Sequence, residues 1–294
     1  MCLLTSTSFI ISRKIMSTNW DYTIQPKHKW FGFNLKELWN SRDLILIFVK
    51  RDIISVYKQT ILGPIWFFVS PIFTAVIFTF VFNNIAHLST DNIPAPLFYL
   101  GGTILWNLFQ TAFLGTSSTF ISNASIFGKV YFPRLASPIA LILSNLIKFS
   151  IQFLLFLIVW TYYIWEGIIH PNISILLFPV LILLISGLAF GFGLIISSLT
   201  TKYRDLTYLI TFGLSLLMYA TPVVYPQSSI PDSYKSLLMC NPIAPIIETF
   251  RFAFTSAGTL DWNGLIYSFA TTIFVVFVGL LLFSRVEKSF MDTV

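Results

Sequence analysis

The chain has little charge. Asp, Glu, Lys and Arg make up 10% of its 294 residues, where soluble domains carry roughly 25%. The shortage runs the whole length, so a globular protein with one membrane anchor is excluded. Metal and redox ligands are also scarce. Cys2 and Cys240 match no metal or thiol-redox spacing, and His28, His87 and His170 stand alone. No Gly-x-x-x-x-Gly-Lys-[Ser/Thr] run occurs, so the chain has no phosphate loop with which to bind ATP by that route. The carboxylates Asp43, Asp52, Asp205, Glu248 and Glu287 are scattered and have no histidine near them. Acid–base catalysis needs such groups poised together.

What the chain does have is apolar runs, with 56% hydrophobic residues. Six of them, at about 65–86, 97–121, 138–165, 174–199, 206–224 and 265–283, approach or exceed the ~20 residues that cross a ~30 Å hydrocarbon core. The fold class is therefore an all-α polytopic membrane protein of six transmembrane helices. An amphipathic interfacial helix precedes them, and a re-entrant helical segment precedes the last span. The net charge of +6 lies in short loops beside apolar spans, which argues for membrane orientation and against nucleic acid. Fifteen of the 18 Lys and Arg fall on one side of this topology and two on the other, with Lys148 inside a span. By the positive-inside rule both termini are cytoplasmic.

Residues 1–33 are expected to be a flexible cytoplasmic segment. The apolar patch Phe9-Ile-Ile11 precedes Arg13-Lys14 instead of following it, which is the reverse of a signal peptide. Met16 is an alternative start. Residues 34–58 form the interfacial helix, with Asn34 and Glu37 as a weak capping box. Its apolar face holds Leu38, Leu44, Ile45, Phe48, Val49 and Ile53, and Lys36, Arg42, Lys50, Arg51 and Lys58 stud its other side. Basic amphipathic helices of this kind lie among lipid headgroups. Tyr57 and Lys58 then lead to Gly63, which permits a sharp bend, and to Pro64, which suits a first helical turn. Near the other end, Pro226, Pro231, Pro242 and Pro245 interrupt an apolar stretch over 225–264. Two short helical pieces dipping into the membrane fit that pattern. Glu248 and Arg251, three apart, can pair on one helical face.

Four stretches together resemble the ABC-2 type permeases, and more narrowly the membrane subunits of bacterial O-antigen, capsule and teichoic-acid exporters. They are Tyr57-Lys-Gln-Thr-Ile-Leu-Gly-Pro-Ile-Trp66, Gly128-Lys-Val-Tyr-Phe-Pro-Arg134, Tyr203-Arg-Asp205 and Asn241-Pro-Ile-Ala-Pro-Ile-Ile-Glu-Thr-Phe-Arg251. The resemblance covers about 34–290 and implies an ABC-2 type transmembrane domain over 59–294. It implies a homodimer forming a channel for a lipid-linked polysaccharide, not an enzyme. A separate ATPase subunit in two copies, carrying ATP and Mg, would drive it. Lys129, Val130, Tyr131, Phe132, Pro133 and Arg134 would form the loop that couples to that ATPase. The protein would be a multi-pass component of the bacterial cytoplasmic membrane, in contact with membrane lipids.

A glycan path needs aromatic platforms and modest hydrogen-bonding groups. On the second span Tyr99, Thr103, Trp106, Gln110, Phe113 and Ser117 recur in steps of three and four on one face. Trp66 and Phe73 on the first span and Phe212 and Tyr219 on the fifth repeat similarly. The same spacing also serves interhelical packing. Lys148 lies about ten residues into its span, with snorkelling or lipid-phosphate contact as its two readings. The alternatives are an ABC-2 exporter of drugs or small lipids and, more weakly, a membrane-embedded glycosyl- or acyltransferase.

Overall fold

The computed structural model describes residues 35–58, 63–127, 129, 132–203, 205–231, 233 and 239–289. The expected N-terminal segment, the Asn34 cap, Val130, Tyr131, Arg204, Lys235 and the side chains of Tyr57, Pro64 and Lys288 lie outside that description.

No strand occurs among the described residues. A short helix α1 (Leu35–Asn40) and a longer α2 (Arg42–Lys58) come first. They correspond to the expected interfacial helix, broken at Ser41, whose hydroxyl donates to the Glu37 carbonyl. After residues 59–62, Gly63 takes a positive φ of 51°, the left-handed bend that favours glycine. A 3-10 turn Gly63–Ile65 then feeds α3 (Trp66–Phe78), which continues as a π-helical stretch Thr79–Ile85. Next come α4 (Ala95–Ser117), the small α5 (Thr119–Ser122) and α6 (Ala124–Phe127), α7 (Ala136–Trp165), a 3-10 turn Ile173–Leu177 and α8 (Phe178–Thr200). The described chain closes with α9 (Leu206–Tyr219), α10 (Ala244–Thr255) and α11 (Trp262–Ser289).

Five segments are long and apolar enough to cross a membrane: Trp66–Ile85, Ala95–Ser117, Ala136–Trp165, Ile173–Thr200 and Trp262–Glu287. The span expected over 206–224 is a helix of 14 residues, about 21 Å long at 1.5 Å per residue. It stops at turns around Pro222 and Pro226, since proline lacks the N–H that would continue the ladder. The second span ends at Ser117 and not near 121. The Ser118 hydroxyl competes for the Leu114 and Gly115 carbonyls and closes the helix there.

Sixteen of the 23 residues of α4 are buried, and it packs against α3, α7, α8, α9 and α10. The other axis is the α8–α11 pair. A Cβ on Gly279 would come within 2.6 Å of the Gly191 carbonyl oxygen, so only glycine lets these backbones approach so closely. Around α10, Phe153, Phe156, Phe178, Phe250 and Phe254 form one aromatic cluster, with Phe153 and Phe178 stacked at 4.4 Å. The Trp160 indole N–H donates to the Phe254 carbonyl at 2.7 Å, anchoring α10 to α7.

Candidate functional site

The fold gathers the basic residues at one end. α2 lays Ile45, Phe48 and Val49 on Ala136 and Ala140 at the start of α7. That strip is docked on protein, while Trp39, Leu46 and Ile47 on the same helices stay exposed. One apolar side therefore meets the bundle and another is free to enter headgroups. Arg42 lies 4.0 Å from Asp43 with its guanidinium over the Trp39 ring. Arg51 pairs with Asp52 at 2.9 Å and sits 4.9 Å from the Phe48 ring centroid. Lys58 is exposed on the last turn of α2. Lys148 on α7 is half-buried and within the field of the Asp52 carboxylate.

Beside α2 lies the loop that carries the coupling expectation. Lys129 is exposed, whereas Phe132 and Pro133 are half-buried. Phe132 packs edge-on against Phe48 at 5.6 Å and also against Phe127. Arg134, the last residue of the expected coupling loop, is buried, at 8% exposed. Its guanidinium donates to the Glu287 carbonyl at the end of α11, its backbone N–H donates to Glu287 Oε1 at 3.3 Å, and it lies over the Phe127 ring. Phe120 stacks on Phe283 at 4.6 Å just behind. The loop is thus keyed to α2 on one side and to the last span on the other. Sequence reading did not assign Glu287 a partner, although it is the first carboxylate after the final apolar run.

The opposite end is sealed by Arg251. Its Nη1 donates to the Pro222 carbonyl at 2.6 Å and to Glu248 Oε1 at 3.2 Å, and Nη2 donates to the Val223 carbonyl at 2.7 Å. The guanidinium carbon is 3.7 Å from the Phe98 ring centroid, a cation–π stack with α4. Glu248 also accepts the Gln227 N–H at 3.3 Å. Burial pushes its carboxyl up, while Arg251 and the Gln227 N–H pull it back down. Gly102 completes the fit, because a Cβ there would meet Arg251 Nη2 and the Val223 carbonyl oxygen at 2.9 Å. The Gly101-Gly102 pair in an apolar run was the available signal for so close an approach. The role of Phe98 left no signal of its own.

The aromatic stripes separate into two kinds. Tyr99, Trp106 and Phe113 on α4 are buried in the bundle, and Gln110 is half-buried. Here this face is core, not an open path. The three- and four-residue steps identify a face correctly but do not say what it faces. The Tyr99 hydroxyl and the Trp106 indole N–H have no hydrogen-bond partner among the described residues. Trp66 and Phe73 on α3, and Phe212 and Tyr219 on α9, are all more than half exposed. These two stripes are therefore available to whatever lies beside the chain.

Five long apolar helices, a basic end and an opposite end closed by Arg251 define a multi-pass membrane protein. The description "ABC-2 type transporter" matches residues 43–255, and the chain belongs to that family. It is similar to the O-antigen export system permease protein RfbA of Klebsiella pneumoniae, at 28% identity over 85% of this chain and 94% of that protein. RfbA of Myxococcus xanthus is 25% identical over 88% of this chain and 98% of its own length. The polysialic acid transport protein KpsM of Escherichia coli is 25% identical over 83% and 93% respectively.

Proposed function

We propose that the chain is the transmembrane subunit of an exporter carrying a lipid-linked polysaccharide, of O-antigen or capsule type, across the cytoplasmic membrane. It works as a homodimer driven by a separate ATPase subunit in two copies, which binds ATP and Mg. The observation that carries this reading is the near full-length match to relatives named for O-antigen export and for polysialic acid transport.

The geometry supports it in three ways. Lys36, Arg42, Lys50, Arg51, Lys58, Lys129, Arg134, Lys202 and Arg285 all lie on elements at one end of the bundle, a charge bias that supports a cytoplasmic end with both termini on that side. Lys129 is exposed at that end and Arg134 is tied to α11, as a lever moved by an ATPase requires. α3 has only Pro71 and Ala75 buried and α9 only Leu214. Two such largely exposed helices per chain suit a path between two copies, with Trp66, Phe73, Phe212 and Tyr219 as weak stacking platforms for a moving polymer. The 14-residue α9 reaches across the bilayer together with the turns at 220–226, giving the sixth crossing.

The test is to purify the tagged chain gently and identify what accompanies it, alongside a deletion strain. An equimolar ATPase subunit and glycan retained inside the deletion strain are expected. A chain that emerges alone from several mild detergents, with surface glycan unchanged by deletion, overturns the reading.

A further inference from the structure

At the sealed end, a cavity of about 400 Å³ lies between α10 and the start of α11. That volume is within the range of small-molecule sites, roughly 300–1,000 Å³. Its polar lining is chemically uniform. Glu248, Asp261, Asn263, Thr259 and Gln227 face it together with Tyr267, and no Lys or Arg is among the described lining residues. Arg251 points the other way, to the Pro222 and Val223 carbonyls and Phe98.

These groups are largely uncommitted. Glu248 spends Oε1 on Arg251 and the Gln227 N–H, which leaves Oε2. Asp261 spends Oδ1 on the Asn263 N–H at 3.0 Å, capping α11, which leaves Oδ2. The Asn263 amide, the Gln227 amide and the Thr259 hydroxyl make no hydrogen bond within the described chain. Tyr267 donates its hydroxyl to the Cys240 carbonyl at 3.0 Å, which holds in place a ring that lines the cavity. Carboxylates and amides accept adjacent hydroxyls in pairs, and an aromatic face takes the C–H side of a sugar ring. Glu248 is paired with Arg251, whereas Asp261 has no Lys or Arg partner among the described residues, so its carboxylate repels an anionic ring.

We infer that this cavity is a subsite for one uncharged sugar ring, selecting neutral over acidic glycans at the mouth where the polymer leaves the permease. Its place at the exit rests on the proposed export function. Its ligand chemistry rests on the cavity alone.

The test uses the full chain in lipid nanodiscs and saturation-transfer NMR with two matched probe pairs, methyl glucoside with methyl glucuronoside and methyl galactoside with methyl galacturonoside. At least one neutral sugar is expected to receive saturation, with its acidic partner at least tenfold weaker. Asn263→Ala should weaken the neutral signal several-fold. Asp261→Asn keeps the cap but removes a charge, so it should narrow the neutral-to-acidic ratio while the thermal midpoint stays in place. Absence of transfer to both neutral sugars, equal transfer within each pair, or indifference to Asn263→Ala overturns the site. If that happens while a deletion strain still retains glycan, the subsite falls and the export reading stands. Selective binding in a chain whose deletion retains no glycan has the opposite meaning.

Discussion

Two buried arginines hold the two ends of this chain, and they do so differently. Arg251 faces a carboxylate one turn away on its own helix and satisfies two carbonyls of the turn after α9, all under the Phe98 ring. Arg134 reaches a helix end far along the chain, contacting the carbonyl and carboxylate of Glu287, with Phe127 beneath it. The first arrangement closes on itself and fixes α10 against the turn after α9. The second joins a loop to a transmembrane helix, so displacement of one moves the other. It also sets a cation against the negative end of the α11 dipole. One arginine ties neighbouring turns together, and the other ties distant parts of the chain.

The largest expected effect is at the closed end. Arg251→Met leaves Glu248 buried without its cation and strips the Pro222 and Val223 carbonyls. Breaking a buried pair from one side costs about 3–5 kcal/mol. Little folded protein should therefore be recovered from membranes, as read by size-exclusion yield and thermal midpoint in detergent. The double variant Arg251→Met with Glu248→Met removes both charges and should recover part of the loss. If the double variant is no better than the single one, carbonyl satisfaction and not ion pairing holds this end.

Arg134→Ala should destabilise less, about 1.5–3 kcal/mol for hydrogen bonds made by a charged group, and the protein should still purify. Its distinctive consequence is functional. ATP hydrolysis by the assembled complex should persist while glycan export falls severalfold more than stability explains. If the two fall together, the joint to α11 is packing only.

Gly102→Ala probes the same closed end from the side of α4. Its methyl group would lie 2.9 Å from both Arg251 Nη2 and the Val223 carbonyl oxygen, and overpacking typically costs about 1–3 kcal/mol. In an Arg251→Met background the cost should shrink, because one of the two obstacles has gone. A cost unchanged in that background would place the clash on Val223 alone.

Composition and periodicity made the helical membrane architecture legible, because an apolar run of the required length has few other uses. The Gly63 bend, the amphipathic α2 and the Glu248–Arg251 pair were legible too, since each depends on neighbours within a few residues. Tertiary facts were not. Tyr99, Trp106 and Phe113 share a face, but only the packing of α7, α8 and α10 around α4 shows that this face is interior. Arg134 looks like a loop tip until α11 brings Glu287 to it from 153 positions away. Boundaries failed where hydroxyls and prolines compete with the backbone ladder, at Ser41, Ser118 and Pro222, because hydropathy does not register those residues.

The smallest effect on stability, and the sharpest contrast with Arg134, belongs to Lys129. Its side chain is exposed on the same loop, and substitution of an exposed group away from caps and networks shifts stability by no more than about 0.5 kcal/mol. Lys129→Ala should therefore leave the thermal midpoint where it is. If this end transmits force from an ATPase, the two neighbouring cations divide the work, Lys129 facing the partner and Arg134 facing α11. Lys129→Ala should then weaken recovery of the ATPase subunit with the tagged chain, whereas Arg134→Ala should leave that recovery intact and lose export. Swapped outcomes would mean that the loop meets its partner through the buried side. Stability loss in Lys129→Ala equal to that in Arg134→Ala would mean that the loop is one packed unit with no free tip.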